Sequence, residues 1–327
     1  MDLDSTTNIN PTNRETSKTL VSRKRQEKGA SLLFKCLTFL PIVLFIVILV
    51  VLIVRSLPIL QQKSVFDLLL GKVWRPSEGE FGFLPFIAGS VWVTVLAMLI
   101  AAPVSIMCAI YLSEYATSLA RTILKPLIDI LAAIPSVVYG LWGVLVIVPW
   151  VGNTLSPFLE KTLWFIPFFQ SKNPTGYSIL AGGLVLAVMV TPFIIAVSYE
   201  VMLTVARGYH EASLAVGATR WQTVRYVIFP RVGSGLAAGV ILGTSRAFGE
   251  TIAVLMVIGN NPVIPKSILD AAYPLPALIA NNYGEMMSIP LYDAALLGSA
   301  LLLLIIVLIF NVSSAIILRR VTGKAQE

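Results

Sequence analysis

Long apolar runs separated by short polar stretches dominate this sequence. The first, Cys36 to Val54, is long enough to cross the roughly 30 Å of a bilayer's hydrocarbon. It is too long for a signal-peptide core and no small-residue cleavage site follows it, so it is expected to be retained. Five more runs lie at roughly 84–111, 127–150, 178–203, 232–258 and 291–318. The second exceeds what a bilayer requires and is expected to tilt or project. Pro103 and Pro192 fall inside spans, where they are expected to kink the helix. The pattern predicts an all-α integral membrane protein with six transmembrane helices.

Composition agrees. Of 327 residues, 57% are hydrophobic and 13% charged, whereas a soluble domain carries about twice that charged share. Mean hydropathy is +0.84. Residues 1–32 are polar, basic and without periodicity, which predicts a flexible tail before a transmembrane domain at 33–327. The net charge of +7 would suggest nucleic acid in a soluble chain; here its distribution reports orientation. Sixteen of 24 Lys and Arg fall in the two tails and the 112–126 and 204–231 loops, seven in the three opposite loops, and one, Arg246, inside a span. Both termini and the 204–231 loop are thereby expected on the cytoplasmic side. Cys36 and Cys108 lie in apolar runs and read as small core residues, and a metal site is not expected. Glu114, Asp129 and Glu200, near span ends, read as structural charges. The outer loops, one with Trp74, one rich in aromatics between Trp164 and Phe169, one rich in proline, read as packing elements and receptor contacts.

The most polar stretch of the second half, Tyr209 to Pro230, reads as two short helices with a tight turn between them. Gly217 can take the left-handed conformation that ends the first helix. Thr219 and Gln222 have the spacing of a capping box, and Pro230 is expected to stop the second helix. Such an element suits docking; an ordinary loop is the alternative. Glu211, Ala212 and Ser213, with Gly217 after three intervening residues and Val227-Ile228-Phe229-Pro230 after nine more, resemble the EAA motif of ABC-importer permeases. Ser213, Val227 and Phe229 depart from it conservatively. The resemblance implies a coupling helix that docks on a cytoplasmic ATPase.

In the fifth run Gly235, Gly239, Gly243 and Ala247 recur every four residues, a small-residue stripe that predicts close helix packing in the bundle interior. Arg246 and Glu250 are four apart and so predicted on one helix face. Each charge costs about 2.5–3.5 kcal/mol at the bilayer centre on insertion scales. An arginine suits a tetrahedral oxyanion because its planar fork donates two parallel hydrogen bonds, and Glu250 is expected to hold it when the site is empty. A structural pair is the alternative. Ser136 and Tyr139 bring hydroxyls into the third run beside Pro135. The stretches Ile134 to Gly143, Arg246 to Thr251, and Phe86–Ser90 with Ala109–Tyr115 resemble the phosphate-importer permeases, of PstC type, over most of the chain after residue 80.

The resemblance implies the type I ABC importer transmembrane fold (MetI-like) in a bacterial cytoplasmic membrane. It further implies a heterodimer with a second permease, two ATPase subunits and an extracytoplasmic phosphate-binding protein. No G-x-x-x-x-G-K-[ST] stretch is present, so ATP is expected to act on partner subunits and this chain to bind no cofactor. Sulfate or molybdate is the alternative substrate. An ion-coupled phosphate carrier would have no use for the EAA element, and a membrane enzyme would need a nucleophile or base with an orienting partner that the sequence does not supply.

Overall fold

The computed structural model describes residues 11–170, 173, 175–285 and 289–324, with the side chains of 11–29, 32, 318 and 320–324 outside the described set. By its contacts the chain divides into Met1–Val54 and Arg55–Glu327. In the first unit the helix α1 (Pro11–Gln62) begins. It takes in residues 11–32, expected to be irregular: Arg14 to Lys28 are mostly residues of fair helix propensity, with no Gly or Pro among them. The basic side chains of that stretch lie outside the described residues. Cys36 stands on an exposed face of α1 rather than in a core.

Among the described residues, six helices are long and apolar enough to cross a membrane. After α1, whose apolar part is Leu33–Gln62, come α2 (Val65–Leu70), a short hairpin pairing β1 (Trp74–Arg75) with β2 (Glu80–Phe81), and the second span, α3 (Leu84–Tyr115). Then follow α4 (Ser118–Ala133), the third span α5 (Ser136–Thr162), and the fourth, α6 (Ile179–Leu203). A short helix α7 (Arg207–Ala215) precedes the fifth span, α8 (Arg220–Phe248). The chain closes with α9 (Ile252–Val257), α10 (Leu275–Asn282) and α11 (Tyr292–Lys324), whose Tyr292–Ile317 part is the sixth span.

The third span differs from the expected 127–150. Ile134 and Pro135 are both extended, because the residue before a proline is pushed out of helical conformation. Residues 118–133 therefore form a separate helix, and the span starts at Ser136. It then runs to Thr162, through residues that read as the start of an outer loop. Pro149 and Pro157 do not end it. A π turn precedes each, at Gly143–Ile147 and Val151–Leu155, and the residue before each proline donates its backbone N–H five positions back, Val148 to Gly143 and Ser156 to Val151. The widened turn takes up the space that the proline ring would otherwise contest with a carbonyl. Pro230 follows the same rule: a π turn at Thr223–Ile228 carries α8 past it, with Phe229 N–H bonded to the Val224 carbonyl, so Pro230 stops nothing.

The fourth span, not the fifth, is central. Most of α6 is buried, and it packs along α3 and against α8 and α4. The glycine stripe of α8 faces it. A Cβ at Gly235, Gly239 or Gly243 would lie 2.6, 3.0 or 2.6 Å from side-chain carbons of Val201, Val197 or Ile194 respectively, so the glycines permit this approach. The other side of α8 packs on α11, where Asn311 donates to Ser245 Oγ at 2.9 Å and Ser314 to the Ala238 carbonyl at 2.8 Å. Ser105 Oγ ties α3 to the Thr191 carbonyl, close to Pro103 and Pro192, both held inside continuous helix. At the end bearing residues 204–231, Ala109, Leu112, Tyr199, Met202, Val224 and Ile228 form one apolar cluster, with Cys108 packed against it. At the opposite end Trp74 sits among Phe81, Phe83, Phe86 and Tyr292.

Candidate docking surface and helix-break site

The segment from Tyr209 to Pro230 forms the expected helix, turn and helix. α7 ends at Ala215, and Gly217 has φ +85°, the left-handed conformation glycine adopts without strain. Thr219 accepts from Gln222 N–H while the Gln222 side chain accepts from Thr219 N–H, closing the capping box. The hydroxyls of Ser213 and Thr223 meet at 2.9 Å and the Arg231 guanidinium lies 4.0 Å from the Tyr209 ring centre, so the two helices clamp each other. Val224 and Ile228 root the second helix in the apolar cluster beneath. Glu211, Ala212, Gly217 and Pro230 are exposed, while Ser213 is buried as part of the clamp. Around them Leu214, Val216, Trp221 and Tyr226 are also exposed, Val216 at 84%. Apolar side chains on so polar a segment make a surface suited to a protein partner.

The second site lies where α8 breaks. Arg246 is in its last turn, the helix ends at Phe248, and Gly249 to Thr251 link it to α9. Arg246 and Glu250 therefore do not share a helix face, and among the described residues they form no ion pair. The break falls at Gly249, where the missing side chain weakens the helix. Arg246 is exposed, with its guanidinium 4.9 Å from the Phe193 ring centre on α6. Glu250 is half-buried and accepts a long hydrogen bond from Ala253 N–H at 3.4 Å, at the start of α9. α5 lies beside α9, with Gly140 admitting Ala253 and Met256. Tyr139 is thereby within reach of the Arg246 charge. Its hydroxyl is already committed, donating to the Leu131 carbonyl at 2.8 Å across the Ile134–Pro135 break. Ser136 is half-buried at the first residue of α5. Two interrupted helices thus meet beside an arginine with no carboxylate partner among the described residues.

Sequence reasoning missed three features. Phe193 beneath Arg246 carried no local signal. Arg121 donates to the Leu112 and Ser113 carbonyls at 3.0 and 2.9 Å, bracing the end of α3. His210 Nε2 lies 3.1 Å from the Glu114 carboxylate, so Glu114 is not a free helix-end charge. Glu200 is likewise paired, at 2.9 Å from Lys125, whose pKa this hydrogen bond raises.

Residues 101–324 match the family described as binding-protein-dependent transport system inner membrane component. The chain is 40% identical over 76% of its length to the probable ABC transporter permease protein YqgH of Bacillus subtilis, of which 75% is covered. It is 38% identical to the phosphate transport system permease protein PstC of Xylella fastidiosa, covering 77% of this chain and 78% of that one. The probable phosphate transport system permease protein PstC of Methanocaldococcus jannaschii is 32% identical over 88% of this chain and 93% of its own. With six membrane-spanning helices and these relatives over most of its length, the chain belongs to the binding-protein-dependent transport system inner membrane components and is a multi-pass ABC importer permease subunit.

Proposed function

We propose that the chain is the permease of an ATP-driven importer that moves inorganic phosphate by alternating access. The observation that carries this reading is Arg246, exposed inside a membrane span with an aromatic ring at its side and no carboxylate partner among the described residues. Facing lipid it would cost about 2.5–3.5 kcal/mol; facing a second permease across a wet pathway it would meet a hydrated anion. The planar guanidinium can grip two oxygens of a tetrahedral phosphate at once. Glu250, uncommitted to Arg246, is free to take the proton of HPO4²⁻, and Ser136 has a hydroxyl to offer. Tyr139 then positions the α4–α5 break. The relatives named for phosphate transport support the same substrate.

The partners are a second permease subunit, two ATPase subunits and an extracytoplasmic phosphate-binding protein. ATP is hydrolysed on those subunits, which meet Glu211, Ala212, Ser213, Gly217 and Pro230 and the exposed apolar side chains around them. This places that segment and both termini in the cytoplasm of a bacterium, and the chain needs no cofactor of its own. Arg246→Gln is expected to lower phosphate uptake by about 10–100-fold, the equivalent of a charged hydrogen bond of 1.5–3 kcal/mol, with Arg246→Lys less impaired. The test is uptake of labelled phosphate by the reconstituted importer, normalised to assembled complex, with sulfate as competitor. Normal uptake when Arg246→Leu and Glu250→Leu are combined would remove both residues from the pathway, and stronger inhibition by sulfate than by unlabelled phosphate would replace the substrate.

A further inference from the structure

The docking segment has a mechanical link to the bundle that its motif does not include. α7 is bound to the start of α8 by the Ser213–Thr223 hydroxyl pair and the Arg231–Tyr209 stacking, both internal to residues 204–231. Among the described residues, one side-chain hydrogen bond joins α7 to a different membrane span, that of His210 with Glu114 at the end of α3. The pair is well shielded, with the His210 side chain 25% exposed and that of Glu114 12%. An ionised carboxylate can only accept, so Nε2 carries the proton. The Nδ1 atom is buried and has no hydrogen-bond partner among the described residues. The contact is thus made through one defined edge of the ring.

What lies behind Glu114 is stiff. It sits in the π turn Tyr111–Tyr115, and Arg121 holds two carbonyls of that turn from the neighbouring helix. From there α3 runs unbroken to Leu84 along the buried length of α6. Near its far end Ser90 Oγ accepts from Leu275 N–H at 2.9 Å, and Gly89 lies against the Tyr273 backbone. A displacement of α7 applied at Glu114 has a continuous path to the loop between α9 and α10 on the opposite side of the membrane.

We propose that His210 and Glu114 are positioning residues for coupling, transmitting movement of the ATPase-docking helix to α3, while the rest of the segment drives α8. This rests on the docking role proposed above. The test uses the complete importer in liposomes and reads phosphate carried per ATP hydrolysed, normalised to assembled complex. Glu114→Leu and His210→Leu are each expected to lower that ratio by about tenfold, the loss that follows removal of one hydrogen bond to a charged group. The double variant should lose no more than either single, because both remove one contact. His210→Gln, whose amide nitrogen can reach the same carboxylate, is expected to recover most of the ratio; a merely space-filling role would give no such recovery. An unchanged ratio in His210→Leu, or losses that add in the double variant, would overturn the proposal. Gly217→Pro, measured in parallel, separates the two readings. If it uncouples the importer while His210→Leu does not, docking stands and the α3 link falls; if Gly217→Pro also leaves the ratio unchanged, docking itself falls.

Discussion

The docking segment and the helix break both carry charge, glycine and a proline, yet they are built in opposite ways. In the first, most determinants act within about ten residues of their partners: Thr219 with Gln222, Ser213 with Thr223, Gly217 between its two helices. In the second, Arg246 meets Phe193 from α6, Gly140 of α5 admits α9, and Tyr139 spans a break to Leu131. The first region is a local structure attached to the bundle. The second exists only because separate helices are packed. Substitutions in the one should therefore disturb coupling and leave the bundle intact, while overpacking the helix contacts that build the other should disturb assembly.

The largest effect should come from Gly217→Pro. Proline fixes φ near −65°, and the turn requires +85°. Stimulation of the partner ATPase should vanish while membrane insertion, followed by protease protection, stays normal. Gly217→Asn, which tolerates the left-handed region, should keep most of it. Next in size is Gly243→Val. Its Cβ alone would fall 2.6 Å from Ile194 Cγ1 where α8 packs on α6, and overpacking of this kind costs about 1–3 kcal/mol. The amount of assembled permease should fall, with transport per complex unchanged. Thr219→Ala removes the cap of the second docking helix and should lower the thermal stability of that segment by about 1 kcal/mol, read by hydrogen exchange at Trp221 to Thr223. Asn311→Leu should be smallest, at about 0.5–1.5 kcal/mol, since it removes one hydrogen bond to Ser245 from an exposed site. A coupling defect without loss of assembly in Gly243→Val, or the reverse in Gly217→Pro, would erase the contrast.

The same contrast explains what the sequence made legible. Span number, the capping box, the left-handed glycine and the small-residue stripe are set by neighbours in the chain or by periodicity, and each was readable. The pairing of Arg246 with Glu250 was inferred from a helix presumed continuous, and Gly249 interrupts it. Pro135 marked a true break, whereas Pro149, Pro157 and Pro230 marked none, because whether a proline stops a helix depends on the hydrogen-bond register preceding it. The centrality of α6 was hidden because both α6 and α3 are apolar throughout, and lipid-facing and core-facing residues look alike in composition. The His210–Glu114 contact spans 96 positions and left no mark that one sequence could show.

The π turn at Thr223–Ile228 has a geometric consequence for the whole protein. Relative to a regular α-helix it holds one extra residue, and each residue turns an α-helix by about 100°. The docking surface and the Arg246 face share one continuous helix, so their angular phase is set by that single insertion. Shortening the turn by one residue would leave every side chain chemically intact and every local motif in place. It would nevertheless swing Trp221 and the clamp of Ser213 and Thr223 by about 100°, a little over a quarter of a revolution, around the axis that bears Arg246. The extra residue thus acts as a keyway, fixing the angular relation between the two ends of the helix.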